Sequence, residues 1–248
     1  MTLPVRQLPR NLPPAIAAAI FDFDETMIDL EDQHAIADSE LCRVMGSDYM
    51  EMPESFRFSS GRRIVDNIRD LRTFFGWRED EKTLFRIRQQ LFEASCASSD
   101  LALMPGVAPV VRQLHAAGLR LAIASSAVRG AIETILLRFD LLDCFELIVD
   151  GGEVEHGKPH PEAFEVTARR LNVAPAECLV FEDSGVGVAA TRAAGMLCIA
   201  VRNPAARQKQ DLGGADLVIE SFEELDVDGI ARRVTSRPNG RSTPPKGG

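Results

Sequence analysis

The segment AIAAAIFDFDETMIDLED, residues 15–32, decides the fold of this protein, because an apolar run ends there at two acids, Asp22 and Asp24. The run predicts a buried strand over residues 17–23, and side chains two positions apart on a strand point to the same side. Acids beside a buried strand are costly without partners. They could cap a helix or lie in a solvated turn, but we favour a pair of carboxylates that faces a functional crevice.

Further short apolar runs alternate with helical patterns from about residue 105 onward. This alternation is typical of βαβ units, and it predicts an α/β fold with a Rossmann-like, doubly wound parallel sheet. The later predicted strands cover residues 119–124, 147–149, 178–181, 197–201 and 217–219, and the predicted helices cover residues 107–117, 129–138, 161–171 and 186–194.

Residues 30–102 have a different pattern, which is charged and helical in period and contains no convincing strand. In EDEKTLFRIRQQLFEA, residues 79–94, the side chains of Leu84, Ile87 and Leu91 fall on one helical face. This block separates the first strand from the others. It therefore predicts an α-helical insert in an α/β core.

The change of pattern also predicts the domain boundaries. We expect an α/β core formed by residues 15–29 and 103–233. We expect a helical insert at residues 30–102 and flexible termini at residues 1–14 and 234–248. The C-terminal tail contains SRPNGRSTPPKGG, and a composition rich in Pro, Gly and Ser is typical of disorder.

The composition limits the class of protein. A chain of 248 residues with 45% hydrophobic residues can bury a core. The net charge of −9 argues against nucleic acid or an anionic membrane as the main partner, since both need clustered Lys and Arg. Five separated cysteines without a CxxC pair, and the lack of an 18-residue apolar span, indicate a cytoplasmic protein with reduced thiols and no membrane helix or signal peptide. We expect a monomer or a weak homo-oligomer.

Polar side chains follow other predicted strands or lie in nearby loops: Ser125 and Ser126, Glu182 and Asp183, and Lys158 in GKPHPEAF. Open parallel sheets bind ligands at the carboxyl ends of their strands, so these groups should share one crevice. Carboxylate oxygens without His or Cys favour Mg²⁺. Together with an ammonium and hydroxyl donors they suit a phosphoryl group, with one aspartate as nucleophile and another as proton carrier.

These motifs, taken in order, resemble the haloacid dehalogenase superfamily, in its phosphatase and beta-phosphoglucomutase-like group. The resemblance covers about residues 15–220 and rests on four motifs: Asp22-Phe23-Asp24-Glu25-Thr26, Ser125 at the end of LRLAIAS, Lys158 in GKPHPEAF, and Glu182-Asp183-Ser184 in LVFEDSGVG. Each motif alone is weak, whereas the four in this order are specific.

The resemblance implies roles for the acids. Asp22 would attack phosphorus and become an aspartyl-phosphate, and Asp24 would protonate the leaving oxygen and then activate water. A Mg²⁺ cofactor would be held by Asp22, Asp183 and the backbone carbonyl of Asp24, with Glu182 nearby or acting through water. A second acid at the position of Asp24 points to phosphoryl transfer, since members that break carbon–halogen bonds generally lack it.

The resemblance also implies that Ser125 and Lys158 hold the phosphoryl oxygens and offset their charge. One residue departs from the family pattern: Glu25 stands where Gly is usual, and it adds a side chain and a negative charge beside the catalytic loop.

An insert at residues 30–102 is, in this family, a helical cap that closes over the site and reads the substrate, with hinges here near residues 28–30 and 103–105. The candidate substrate contacts are Ser126, His34, Arg62 and Arg63, with Arg86 and Arg88 as further cationic positions. Arginine suits a second phosphate through its bidentate fork. An arginine on an amphipathic helix is, however, more often solvated.

We therefore expect a Mg²⁺-dependent phosphatase that acts on a small phosphorylated metabolite such as a sugar phosphate. The alternative within this chemistry is a phosphosugar mutase of the beta-phosphoglucomutase kind, in which a substrate hydroxyl replaces water as acceptor. Thr26 resembles the phosphatase members slightly more.

Two alternatives come from other classes. GVGVAA, residues 185–190, fits a dinucleotide fingerprint and would suggest an NAD(P)-dependent oxidoreductase, with Arg202 on a 2′-phosphate. Glu182 and Asp183 argue against it, because pyrophosphate would meet two carboxylates. A scaffold that has lost its chemistry is disfavoured by the intact set of motifs, and only Glu25 supports it.

Overall fold

A computed structural model describes residues 5, 6, 8, 15–57, 63–204, 206 and 210–234 of the chain. The strands are β1 Ala18–Phe21, β2 Arg120–Ala124, β3 Leu147–Val149, β4 Cys178–Glu182, β5 Leu197–Val201 and β6 Leu217–Ile219. Within the described residues they form one parallel sheet in the order β3-β2-β1-β4-β5-β6. The prediction of a parallel α/β sheet is confirmed.

The central strand β1 is shorter than the predicted span of residues 17–23. Its four residues AAIF are fully buried, as expected for a strand that is covered on both faces. The backbone N–H of Asp22 still donates to the carbonyl of Phe181, over 2.9 Å, but the chain then turns, and the N–H of Met27 donates to the carbonyl of Phe23 over 2.9 Å. The strand ends early because this turn takes up the backbone groups that a longer ladder would use.

The described residues of the insert, 30–57 and 63–102, contain no strand. The insert helices are α1 Glu31–Val44, α2 Glu54–Arg57, α3 Ile64–Phe75 and α4 Glu81–Ser98. Helices α1 and α3 both pack against α4, around an apolar cluster that includes Leu41, Ile68 and Trp77.

The two connections between insert and core run side by side. Ile28 and Leu103 pair as an antiparallel bridge. The N–H of Met104 donates to the carbonyl of Met27 over 2.8 Å. The positions predicted as hinges, residues 28–30 and 103–105, therefore lie next to each other, and their movement stays a prediction.

The core helices cover both faces of the sheet. They are α5 Val107–Ala116, α6 Arg129–Arg138, α7 Glu162–Arg170, α8 Gly185–Ala193 and α9 Val227–Ala231. Apolar side chains of α5, α6 and α9 share one core cluster with Phe21, whereas those of α7 and α8 share another with Ile20. Because Ile20 and Phe21 are consecutive on β1, they point to opposite faces. The sheet is therefore doubly wound, as predicted.

The remaining expectations concern membranes and thiols. Among the described residues, none of the helices has the length and apolar character needed to cross a membrane. All five cysteines are free thiols, and Cys42, Cys178 and Cys198 are buried. Buried free cysteines behave as small apolar residues, so here they contribute to the core.

Candidate active site

The predicted site lies where β1 and β4 end side by side. Phe21 and Phe181 are partners in the parallel ladder, so Asp22 and Glu182 follow at the same level. This is the point at which the strand order reverses direction, and ligands of doubly wound sheets bind in the crevice that opens there. Oxygens of Asp22, Glu182 and Asp183 lie within 4.8 Å of one another. The fold thus brings together acids that are about 160 residues apart in the chain.

Lys158 enters this cluster from the loop between β3 and α7. Its Nζ donates to Asp22 Oδ1 over 2.6 Å and to Glu182 Oε1 over 2.5 Å, and its side chain is buried. Burial alone would lower the pKa of Lys158, but the two carboxylates outweigh it and hold the pKa above its usual value. Lys158 is therefore a fixed positive charge in the crevice.

Glu182 is fully buried and anchors both Lys158 and the start of α8. Its Oε2 accepts hydrogen bonds from the backbone N–H of Asp183 and from the N–H and hydroxyl of Ser184, each over 2.9 Å. A Cβ at Gly187 would lie 1.8 Å from Glu182 Oε1. Gly187 is thus required because the carboxylate fills the space beside the first turn of α8.

This arrangement bears on the dinucleotide alternative. A pyrophosphate would have to sit against the N-terminus of the helix that follows β4. Here the carboxylate of Glu182 accepts hydrogen bonds from the N–H groups of Asp183 and Ser184 just before that helix, and Gly187 makes room for this acid of the protein itself. The dinucleotide interpretation does not fit this geometry.

The carboxylates of the cluster are buried and crowded, so a bound cation would stabilise their charged forms. Burial raises the pKa of Asp22 to about 7, because it outweighs the lowering effect of Lys158. Burial also raises the pKa of Asp183 well above its ordinary value, and the neighbouring carboxylates of Glu182 and Asp22 add to the effect. Ligands that are all oxygen, and in excess of the positive charge beside them, fit a hard divalent cation such as Mg²⁺.

Thr26 joins the two halves of the cluster. Its hydroxyl donates to Asp183 Oδ1 over 2.8 Å and lies 3.4 Å from Asp22 Oδ2. This contact between Thr26 and Asp183 was not predicted from the sequence. The position of Thr26 four residues after Asp22 was the available signal.

Glu25 adopts a backbone conformation that suits glycine. Its φ is 62°, in the left-handed region, where a side chain with a Cβ costs about 1 kcal/mol or more. The residue is also nearly buried, with 9% of its surface exposed. The departure from the usual Gly therefore carries a backbone cost as well as a charge, and this charge adds to the raised pKa of Asp183.

The carboxylate of Asp24 contacts the insert. Its Oδ2 lies 3.0 Å from Nε2 of His34 on α1. Nδ1 of His34 lies 2.9 Å from Nη2 of Arg88 on α4, whose Nε donates to Asp38 over 2.8 Å. Arginine can only donate, so Nδ1 accepts and the proton of the neutral ring is on Nε2, from which it is donated to Asp24. The ring of His34 also stacks on Phe92, with centroids 4.4 Å apart.

Arg88 is buried, with 1% of its surface exposed, whereas Arg86 is exposed. The expectation that such arginines are solvated is therefore wrong for Arg88, because Asp38 and His34 take its hydrogen bonds. Asp38 was missed in the sequence. It stands four residues after His34 on α1, a spacing that places both on one helical face.

The remaining predicted site residues lie at the boundary between insert and core. Ser125 is buried after β2, and its Oγ accepts from the N–H of Ala127 over 3.1 Å. Ser126 and Arg63 line a cavity of about 90 Å³ between insert and core. Arg62 lies outside the described residues.

Arg63 already uses most of its donors. Its Nε and Nη2 donate to Asp66 over 2.9 and 3.1 Å, and its Nη1 donates to the carbonyls of Val154 and Glu155 over 3.2 and 2.7 Å. These carbonyls belong to the loop that leads to Lys158. Arg63 thus ties the insert to the core, and its contact with substrate stays a prediction.

Several known proteins are similar to this chain in sequence and fold. The family model described as haloacid dehalogenase-like hydrolase matches residues 16–195. Hexitol phosphatase B of Escherichia coli K12 is 31% identical over 224 residues, which is 87% of this chain and 96% of that protein. Beta-phosphoglucomutase of Bacillus subtilis is 29% identical over 221 residues, 85% of this chain and 92% of that protein. A mutant of CbbY from Rhodobacter sphaeroides, solved in complex with xylulose-(1,5)bisphosphate, superimposes with a TM-score of 0.73 at 28% identity and covers 85% of this chain and 96% of that one.

Proposed function

The chain belongs to the haloacid dehalogenase-like hydrolases, and we propose that it is a Mg²⁺-dependent phosphatase that hydrolyses a small sugar phosphate through an aspartyl-phosphate. The observation that carries the proposal is the buried cluster of Asp22, Glu182 and Asp183 around Lys158 at the ends of β1 and β4. Two named relatives, a hexitol phosphatase and a CbbY mutant solved with xylulose-(1,5)bisphosphate, support the substrate class.

Asp22, Asp183 and the backbone carbonyl of Asp24 would hold Mg²⁺, with Glu182 acting through water. When bound, the cation offsets the charge of the carboxylates and of the phosphoryl oxygens. Glu182 is the least suited of these to bind directly, because its Oε1 accepts a hydrogen bond from Lys158 and its Oε2 accepts three, from Asp183 and Ser184.

In the first step a carboxylate oxygen of Asp22 attacks phosphorus, and the bond from phosphorus to the leaving oxygen breaks. Lys158 and Ser125 hold the phosphoryl oxygens, and the ammonium offsets the charge that builds on them. In the second step water attacks the phosphorus of the aspartyl-phosphate, which releases inorganic phosphate and restores the carboxylate of Asp22.

Asp24 carries the proton in both steps. One of its oxygens, Oδ2, accepts the hydrogen bond from His34. The other, Oδ1, is buried and has no hydrogen-bond partner among the described residues. We assign Oδ1 as the atom that gives its proton to the leaving oxygen and later takes one from water.

The insert, residues 30–102, would act as a cap that excludes water and reads the sugar. The cavity beside Ser126 and Arg63 lies between cap and core, and we propose that part of the sugar occupies it. For Arg63 to bind a second phosphate, it would have to exchange its contacts with the carbonyls of Val154 and Glu155. The free thiols suit a reducing, cytoplasmic setting, which we propose as the compartment.

The second candidate is a phosphosugar mutase, which the likeness to beta-phosphoglucomutase favours. The two activities share Asp22 and differ only in the acceptor, which is water for the phosphatase and a substrate hydroxyl for the mutase.

A single plate assay separates the two. Phosphate release is measured from a panel of sugar phosphates and nucleotides, with Mg²⁺ and with chelator, beside conversion of glucose 1-phosphate to glucose 6-phosphate. Mg²⁺-dependent release supports the phosphatase, whereas isomer conversion without release supports the mutase. Asp100→Asn, at a fully exposed acid, is the control for Asp22→Asn. Activity that is equal in all variants, or unaffected by chelator, would overturn the proposal.

A further inference from the structure

Asp183 receives hydrogen bonds at both carboxylate oxygens. Oδ1 accepts from the hydroxyl of Thr26 over 2.8 Å, and Oδ2 lies 3.3 Å from Nε2 of Gln210. The same Nε2 donates to the backbone carbonyl of Asp183 over 2.8 Å. Gln210 lies between β5 and β6, outside every motif that the sequence indicated for the site.

The orientation of the Gln210 amide is determined by a third contact. Its Oε1 accepts from the backbone N–H of Asn203 over 3.1 Å. A backbone N–H can only donate, so this end of the amide must be the oxygen and the other end must be the NH₂ group. The donors of Gln210 are therefore directed at Asp183, and turning the amide over would lose all three contacts.

The two donors of this NH₂ group span the backbone and the side chain of one residue. The Gln210 NH₂ group links Oδ2 of Asp183 to the backbone carbonyl of the same residue, and Thr26 binds Oδ1. The Asp183 carboxylate therefore has little freedom to rotate. The amide is also neutral, so it orients the carboxylate without adding a positive charge that would compete with a cation. Lys158 already supplies such a charge to Asp22 and Glu182.

We propose that Gln210 is a positioning residue that holds the carboxylate of Asp183 in the orientation in which it binds a divalent cation. This inference rests on the proposed function, since it takes Asp183 as a metal ligand. Groups that orient metal ligands in this way typically affect metal affinity by 10- to 100-fold.

The test measures Mg²⁺ binding to the full-length protein, without substrate, by isothermal titration calorimetry. Gln210→Ala shortens the side chain, and Gln210→Met replaces it by an apolar one of similar length. If one variant fails to fold, the other can still be measured. Gln113→Ala, at an exposed position on α5, is the control. We expect both Gln210 variants to weaken Mg²⁺ binding roughly 10-fold or more, while kcat at saturating Mg²⁺ stays within about 3-fold of wild type.

A merely structural role would give a different result, in which the thermal midpoint falls and the Mg²⁺ affinity does not change. That result would overturn the inference. Asp183→Ala separates this failure from a failure of the proposed function. If Asp183→Ala abolishes Mg²⁺ binding and the Gln210 variants bind normally, only the role of Gln210 is wrong. If Asp183→Ala binds Mg²⁺ like wild type, the metal site itself is wrong and both proposals fall.

Discussion

His34 Nε2 lies 3.0 Å from Asp24 Oδ2, so a side chain of the insert touches the proposed acid–base residue of the core. Arg88 fixes the tautomer of His34 from the other side of the ring, and Asp38 holds Arg88. The orientation of Asp24 is thus coupled to the position of helices α1 and α4. Through this contact, a movement of the insert would alter the position of the proposed acid–base residue.

Arg88→Met should destabilise the protein by about 3 kcal/mol, because it leaves the Asp38 carboxylate without its buried partner. Arg86→Met, two residues earlier on the exposed face of α4, should change stability by less than about 0.5 kcal/mol. Urea unfolding of both variants checks this. If both variants change the free energy of unfolding equally little, the ion pair of Arg88 and Asp38 does not stabilise the protein.

Asp22→Asn should lower turnover by roughly 10⁴-fold or more, because it removes the nucleophile. The fold should be retained, since an amide at this buried position avoids the cost of burying a charge. Single-turnover kinetics and circular dichroism measure the two effects. Retained activity would remove Asp22 from its assigned role.

The raised pKa of Asp22 predicts how the stability of the metal-free protein depends on pH. Its pKa is about 7 in the folded protein and near its ordinary value of 3.8 in the unfolded chain, so between these values the folded state holds a proton that the unfolded state has released. The contribution of Asp22 to stability therefore falls as pH rises through this window. In chelator, the free energy of unfolding of Asp22→Asn should exceed that of wild type by an amount that grows from pH 4 to pH 7. This difference should shrink in Mg²⁺, and urea unfolding measures it. A difference that is constant with pH would contradict the raised pKa.

Lys158→Ala should raise the pKa of Asp22 further, because the ammonium is the group that lowers it. The acid limb of the kcat/KM profile should therefore move to higher pH, and kcat should fall by roughly 10²-fold or more, as for other lost electrostatic contacts in transition states. Lys82→Ala, at an exposed position on α4, is the control. A profile that Lys158→Ala leaves in place would exclude Lys158 from the site.

Glu25→Gly should stabilise the protein by about 1 kcal/mol, because glycine adopts a φ of 62° without a Cβ clash. Asp140→Gly, at a φ of 57° and outside the candidate site, tests the backbone effect by itself. Only Glu25→Gly should also lower the pKa of Asp183, since it removes a nearby carboxylate. Thermal denaturation and the pH dependence of Mg²⁺ binding measure both effects. Loss of stability in Glu25→Gly would show that the side chain of Glu25 contributes more than its backbone costs.

Most of the core was predictable from the sequence. Asp22, Ser125 and Asp183 could be found because each follows a short apolar run, and the carboxyl ends of parallel strands lie at one edge of a sheet. Lys158 came from its motif. The end of β1 was placed two residues too late, because the turn after Phe21 depends on the hydrogen bond from Met27 and not on apolar pattern.

The contacts that orient these residues were less predictable. Arg88 lies on an amphipathic helix, where an arginine is expected to be solvated, yet its side chain is buried and paired with Asp38 of α1. Thr26 lies in the first motif, but its sequence position did not show that it contacts Asp183, and nothing local to Gln210 marked that residue. Each becomes distinctive only through a partner, Asp183, that lies 157 or 27 residues away.

The sequence by itself determined the order of strands along the chain, the helical insert after the first strand, and the set of acids and the lysine that can carry phosphoryl chemistry. These follow from local patterns, because hydrophobic period and residue type act over a few neighbouring positions. Only the tertiary structure decided which strands lie side by side, that Asp24 faces His34, and that Gln210 directs its donors at Asp183. Hydrogen bonds depend on distance and angle within a few tenths of an ångström, and only the packing of distant segments sets these.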